Sequence, residues 1–185
     1  ARSYVLMMFG MGLATLSGVG FGFWGPTLFH RVYEVPLTEA STTFGLYFGL
    51  AGLSGMLLFG AVSDKLARGG MQRPLLMAGM AMLAASVCIL ASTWSDTLFV
   101  AKMLAIPAGL LGGGWSIGIM QSLQYLVPDR FRATSTALFI MVTTFLGFII
   151  GPWATGALSE LFGNNAMSLR WALTIIIPTG MVGGL

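Results

Sequence analysis

"GAVSDKLARGGMQRP", residues 60–74, gathers Asp64, Lys65, Arg68 and Arg73 into one stretch of a 185-residue chain in which only 8% of residues are charged. An ordinary soluble domain is about 25% charged. Here 56% of the residues are hydrophobic and the mean hydropathy is +0.87, so a water-soluble fold of this size could not cover its own apolar surface. On either side of the charged stretch lie apolar runs close to the roughly 20 residues that cross about 30 Å of hydrocarbon as a helix. The stretch therefore reads as a turn between two membrane spans.

Runs such as "LLMAGMAMLAASVCILA" lack the alternating polarity of barrel strands, the other structure that satisfies every backbone group in lipid. The expected fold is an all-α integral membrane protein of six transmembrane helices, near residues 3–26, 40–63, 74–93, 97–126, 134–158 and 167–185. The breaks between them are "HRVYEVPLTE", the opening stretch, "STWSD", "VPDRFR" and "LFGNNAMSLR". The first run is too long for a signal peptide, and Arg2 is its whole basic n-region. If the chain starts in the cytoplasm, that side receives Arg2, Lys65, Arg68, Arg73, Arg130 and Arg132, and the other receives Arg31, Lys102 and Arg170. This excess places both ends in the cytoplasm of a plasma or inner membrane. Lys102 falls in the first turns of the fourth span, where its stem reaches the interface by snorkelling. The chain begins with Ala1 and stops at "TGMVGGL" with no polar tail, so it is expected to be part of a longer protein.

The apolar runs hold little chemistry. Cys88 is the single cysteine, which excludes disulfide and cysteine-metal frameworks. Glu34, Glu39, Asp64, Asp96, Asp129 and Glu160 all fall at or near breaks, without H-E-x-x-H or any other metal-ligand spacing. No metal, cofactor, catalytic residue or nucleic-acid partner is expected. "GLSG" at residues 52–55 resembles the G-x-S-G of rhomboid-type intramembrane proteases. A serine nucleophile needs a base within hydrogen-bond reach, and the only histidine, His30, lies before the serine-bearing span, whereas the rhomboid pattern has it on a later one. Ser54 is read as a small packing residue, with the intramembrane serine protease kept as an alternative.

The 26 glycines are spread through the spans, as in "GVGFGFWGP" and "LLGGGWSIG". In lipid, small residues matter because they let helix backbones approach closely. Gly147 and Gly151 form a G-x-x-x-G pair, followed by Pro152 and Gly156, and are read as a helix-packing face. Pro107, Pro152 and Pro178 each remove a backbone donor and bend a helix, either as a fixed kink or as a point of flexure.

The opening stretch resembles the signature loop of the major facilitator superfamily, G-x-L-x-D-R/K-x-G-R-R/K. The matching positions are Gly60, Val62 for leucine, Asp64, Lys65, Ala67 for glycine, Arg68, and Gly69 for the last basic residue. "FWGPTLFHRVYEVPLTEASTTFGL" and "LVPDRFRATSTALFIMVTTFLGFIIGPWATGALSELFG" are similar to the family's passages from helix seven to eight and from ten to eleven. The second is most similar to the spinster-like branch and its bacterial relatives. The softened motif resembles the weaker of the family's two copies, which implies helices seven to twelve, the C-terminal six-helix half.

The resemblance implies a secondary active transporter, not an enzyme, that moves a small, amphiphilic organic solute by alternating access. Gly60, Asp64, Lys65, Arg68 and Arg73 would form its gating motif. The absent N-terminal half, membrane lipid and the solute would be its partners, in a protein that is monomeric at full length. The helices that would face or flank its cavity carry Trp24, Tyr47, Trp115, Gln121, Thr143 and Thr144. Trp24 and Gln121 lie towards the ends of their spans, where interfacial duty competes with solute contact. A non-transporting membrane scaffold or receptor is the other alternative.

Overall fold

A computed structural model of the chain describes residues 2–70 and 72–184. They form six helices long and apolar enough to cross a membrane: α1 (Arg2–Tyr33), α2 (Leu37–Ala67), α3 (Gln72–Thr93), α4 (Leu98–Leu126), α5 (Asp129–Leu161) and α6 (Ala166–Gly183). No strand occurs among the described residues.

The helices outrun the apolar stretches that announce them. α1 continues through Pro26 and "FHRVY" as far as Tyr33, because polar side chains at the membrane edge do not stop a helix. It stops where Glu34 takes a left-handed backbone, with φ of 55°, and where Pro36 keeps Val35 out of the helical region. α5 likewise starts inside "VPDRFR", through a 3-10 turn at Asp129–Phe131. There Arg132 pairs with Asp129 at 2.5 Å. The α5–α6 turn passes through Gly163 and Asn164, both at positive φ, and Asn165 caps α6 by exchanging hydrogen bonds with Ser168.

α2 and α5 are not uniform. Each contains a π-helical stretch, Gly45–Gly49 in α2 and Phe145–Ile150 in α5. A π turn closes its hydrogen bonds over one extra residue, and such turns bend helices and concentrate at functional sites.

α1 runs through the middle of the bundle and touches all five other helices, while α2 and α5 do not touch each other among the described residues. The core has two parts. Phe21, Phe29, Phe44, Ile89, Leu169 and Leu173 fill one end; Met11, Ala78, Met82, Trp115, Leu123 and Phe139 fill the other.

Glycine sets the spacing between helices. A methyl group on Gly55 of α2 would land on the Leu110 carbonyl of α4, and one on Gly113 of α4 would land on the Gly52 carbonyl of α2. Backbone lies against backbone there. Gly151 of α5 meets the Leu16 carbonyl of α1 in the same way, while Gly147 carries the Thr15 side chain and Gly156 the indole of Trp24. A side chain at such a point must push whole helices apart. Gly113→Val should therefore destabilise the protein by about 1–3 kcal/mol, the usual penalty of overpacking, seen as a lower melting temperature in detergent. Its neighbour Gly112 has open space at its Cβ, so Gly112→Ala should melt no lower than the parent.

Candidate functional site

The last turns of α2 and α4 are joined by a short polar chain. Ser63 is fully buried, and its hydroxyl donates to the Gln121 side-chain carbonyl. The Gln121 amide in turn donates to Asp64 Oδ1 at 3.2 Å. One glutamine thus satisfies a buried hydroxyl and holds an exposed carboxylate at the end of the opening stretch.

The neighbouring cations do not join this chain. Among the described residues the one ion pair is Arg132 with Asp129, so Asp64 is within ion-pair distance of neither Lys65, Arg68 nor Arg73. Arg73 lays its guanidinium over Gly69, the position where the signature has a basic residue. The Asp64 carboxylate is therefore held by a neutral donor and presented outward, with its charge available to a group outside these six helices. A second tie at this end is the Tyr4 hydroxyl donating to the Ser135 carbonyl at 2.8 Å, between the starts of α1 and α5.

The opposite end is bound more heavily. Tyr33 bonds Ser95 through Oγ at 2.6 Å and through the carbonyl at 3.0 Å. Arg170 donates to the same carbonyl at 2.8 Å, and Arg31 donates to Asn164 Oδ1 at 3.0 Å. Two helices, α1 and α6, are tied there to residues of the α3–α4 and α5–α6 loops.

Between the two ends, the helices bury very unequal shares of themselves. In the most apolar window of α2 only 6% of residues are buried, and in α5 17%, against 39% in each of the other four. Leu46, Leu50, Leu53 and Leu57 form an exposed apolar stripe along α2, and Met141, Phe145, Phe148 and Trp153 form another on α5.

The cavity candidates divide between these surfaces and the interior. Tyr47 sits half-buried in the α2 π turn, with Lys102 Nζ of α4 6.0 Å from its ring centroid. Thr144 is exposed immediately before the α5 π turn. Thr143 is buried and returns its hydroxyl to the Phe139 and Ile140 carbonyls of its own helix. Trp24 donates its indole N–H to the Pro152 carbonyl at 2.9 Å and locks α1 to α5. Trp115 is buried in the core against α1 and α3, and Gln121 belongs to the Asp64 chain. The six are not brought to one surface. The "GLSG" hydroxyl of Ser54 donates to the Leu50 carbonyl at 3.0 Å, and His30 Nδ1 lies 2.7 Å from the Val35 carbonyl. Among the described residues no cluster of His, Cys, Asp and Glu could hold a metal ion.

Reading the sequence singled out Asp64 and Gln121 separately and passed over Ser63. The available signal was a glutamine at the end of an otherwise apolar helix, which must find polar partners on a neighbour. Nothing in the sequence marks the π turns.

Known proteins share this architecture. The family model described as Major Facilitator Superfamily matches residues 1–152. An "MFS-type efflux pump" of Mycolicibacterium smegmatis is 24% identical over 185 residues, covering 98% of this chain and 43% of the pump. "Protein spinster homolog 3" of Danio rerio is 30% identical over 208 residues, covering all of this chain and 41% of that protein. A bacterial homolog of the human lysosomal transporter Spinster, solved in an inward-facing, unoccupied conformation, superposes with a TM-score of 0.86 at 17% identity, over 100% of this chain and 46% of its own. The chain thus spans less than half the length of these relatives. With the fold shared throughout and the family model matched over most of its residues, this integral membrane chain belongs to the Major Facilitator Superfamily.

Proposed function

We propose that these six helices are the C-terminal half of a spinster-like secondary active transporter that moves a small amphiphilic organic solute by alternating access. The observation that carries this reading is the uneven burial. α2 and α5 leave apolar stripes uncovered on both sides of the central α1, as expected of helices that pack against a second six-helix unit. Transporters of this kind hold solute at the interface of two such units and expose it by rocking one against the other. Tyr47 and Thr144 lie on the two open helices and suit a solute with an apolar body and few polar groups.

The two ends of the bundle fit different duties in such a cycle. The heavily bonded end around Ser95 holds its helices together through the motion. The end with Asp64 presents a carboxylate whose charge this half leaves uncompensated, and it forms one side of a gate with a cation or a helix N-terminus of the other half. Exposed contacts of this kind are worth about 0–1 kcal/mol, rising when they are shielded between helices, which is enough to bias two states without locking either. The positive-inside rule places this end in the cytoplasm.

The full-length protein in proteoliposomes should take up a labelled amphiphile, and Asp64→Asn should lower that flux on the order of tenfold, the effect of about 1.4 kcal/mol on a two-state equilibrium. Its unfolding free energy should stay within about 0.5 kcal/mol of the parent, because an asparagine carbonyl still accepts from Gln121. Flux that ignores the substitution would remove the gate from Asp64, and a well-folded protein without flux would favour a scaffold or receptor. Gln121→Leu should behave differently. It strands the buried Ser63 hydroxyl and frees Asp64, so stability should drop by about 1–3 kcal/mol along with flux, both read on the same purified sample.

A further inference from the structure

At the cation-rich end, on the side of the bundle made by α1, α3, α4 and α6, lies a groove of about 730 Å³. Its floor includes Ala78, Met82 and Trp115, all buried. Its rim includes Leu6, Leu76 and Met80, which are large, apolar and exposed, Leu76 at 64% and Met80 at 65%. Gly10, Gly79, Gly183 and Gly184 are part of its lining. Gly10 meets Gly183 and Gly79 meets Gly184 backbone to backbone, so the last turn of α6 contributes a bare wall.

In a bilayer this groove adjoins the acyl chains. Water is poorly held in a slot with apolar walls, and leaving it empty forfeits the dispersion contacts of its lining. Its volume falls within the range of about 300–1,000 Å³ typical of sites for a single small ligand. Its polar side chains are Ser3 of α1 and Gln72 in the first turn of α3. Gln72 opens α3, so the positive end of that helix's dipole lies beside it. Arg2, exposed beside Ser3, adds a charge. The same end carries Lys65, Arg68, Arg73, Arg130 and Arg132 against the carboxylates of Asp64 and Asp129.

We propose that this groove is a binding site for one anionic glycerophospholipid, with an acyl chain along Met80 and Met82 and the phosphate at Ser3 and Gln72. The site is separate from the open faces of α2 and α5. It requires only that the six helices lie in a bilayer, so it stands or falls independently of transport.

The test uses the full-length protein in nanodiscs of phosphatidylcholine doped with phosphatidylglycerol whose acyl chain carries a diazirine, with adducts mapped by mass spectrometry. Adducts should concentrate on Leu76, Met80 and Met7, and should exceed those from a phosphatidylcholine photolabel by about fivefold, the attraction expected from one basic residue at a membrane surface. Leu76→Trp and Met80→Trp, each at an exposed rim position, should abolish labelling of the groove. Val87→Trp, at a position 58% exposed on the same helix outside the groove, should leave it intact. Gln72→Glu should erase the preference for the anionic lipid. Labelling spread evenly over the apolar surface, equal labelling by both lipids, or a photo-methionine at position 80 that crosslinks to a flanking part of the polypeptide instead of lipid would each overturn the proposal.

Discussion

The structure depends on backbone touching backbone. Lipid tails are as apolar as leucine, so little hydrophobic force drives one helix against another in a membrane, and dispersion over close contacts takes its place. Dispersion falls off steeply once surfaces separate, and only glycine lets two helix axes approach near enough to use it along a whole face. The contacts of Gly52 and Gly55 with Leu110 and Gly113, and of Gly147 and Gly151 with Thr15 and Leu16, are therefore the joints of the bundle. The side chains between them fill the space that those joints define.

From this constraint follows a division of labour among the helices. α1 touches all five other helices and cannot shift without them. α2 and α5, attached along one glycine-lined edge each, are free along the other. The polar ties also differ between the ends: at the Ser95 end α1 and α6 are bound to loop residues, whereas the Asp64 end relies on Gln121 and Tyr4. One end resembles a hinge and the other a latch.

Much of this was legible in the sequence, for physical reasons that can be named. Apolar runs marked the spans because hydrocarbon tolerates little else, and the charged turn at residues 60–74 was conspicuous because charge there has only one affordable location. Helix ends were less legible. Hydropathy reports where the membrane ends, and α1 continues to Tyr33 beyond it until Glu34 and Pro36 intervene. Side-chain direction was the least legible. Trp24 and Trp115 sit on helices next to a presumed cavity, yet one bonds Pro152 and the other fills the core, and a few tens of degrees of helix rotation decide between such outcomes. The polar link through Ser63 required knowing that α2 and α4 end together, which a single sequence does not state.

The π turns carry a consequence for the faces of α2 and α5. One additional residue within a helix rotates everything beyond it by roughly 100°, since each residue turns the chain by that angle. A π turn such as Gly45–Gly49 takes up an extra residue within one wider turn, so the helix beyond it keeps its phase and Asp64 stays on the face that meets Gln121. Inserting a single residue between Leu50 and Asp64, with no π turn to take it up, would leave composition, length and hydropathy almost unchanged. It would also swing the Asp64 end of α2 away from Gln121, so that a chain passing every test of a membrane span would lose its latch.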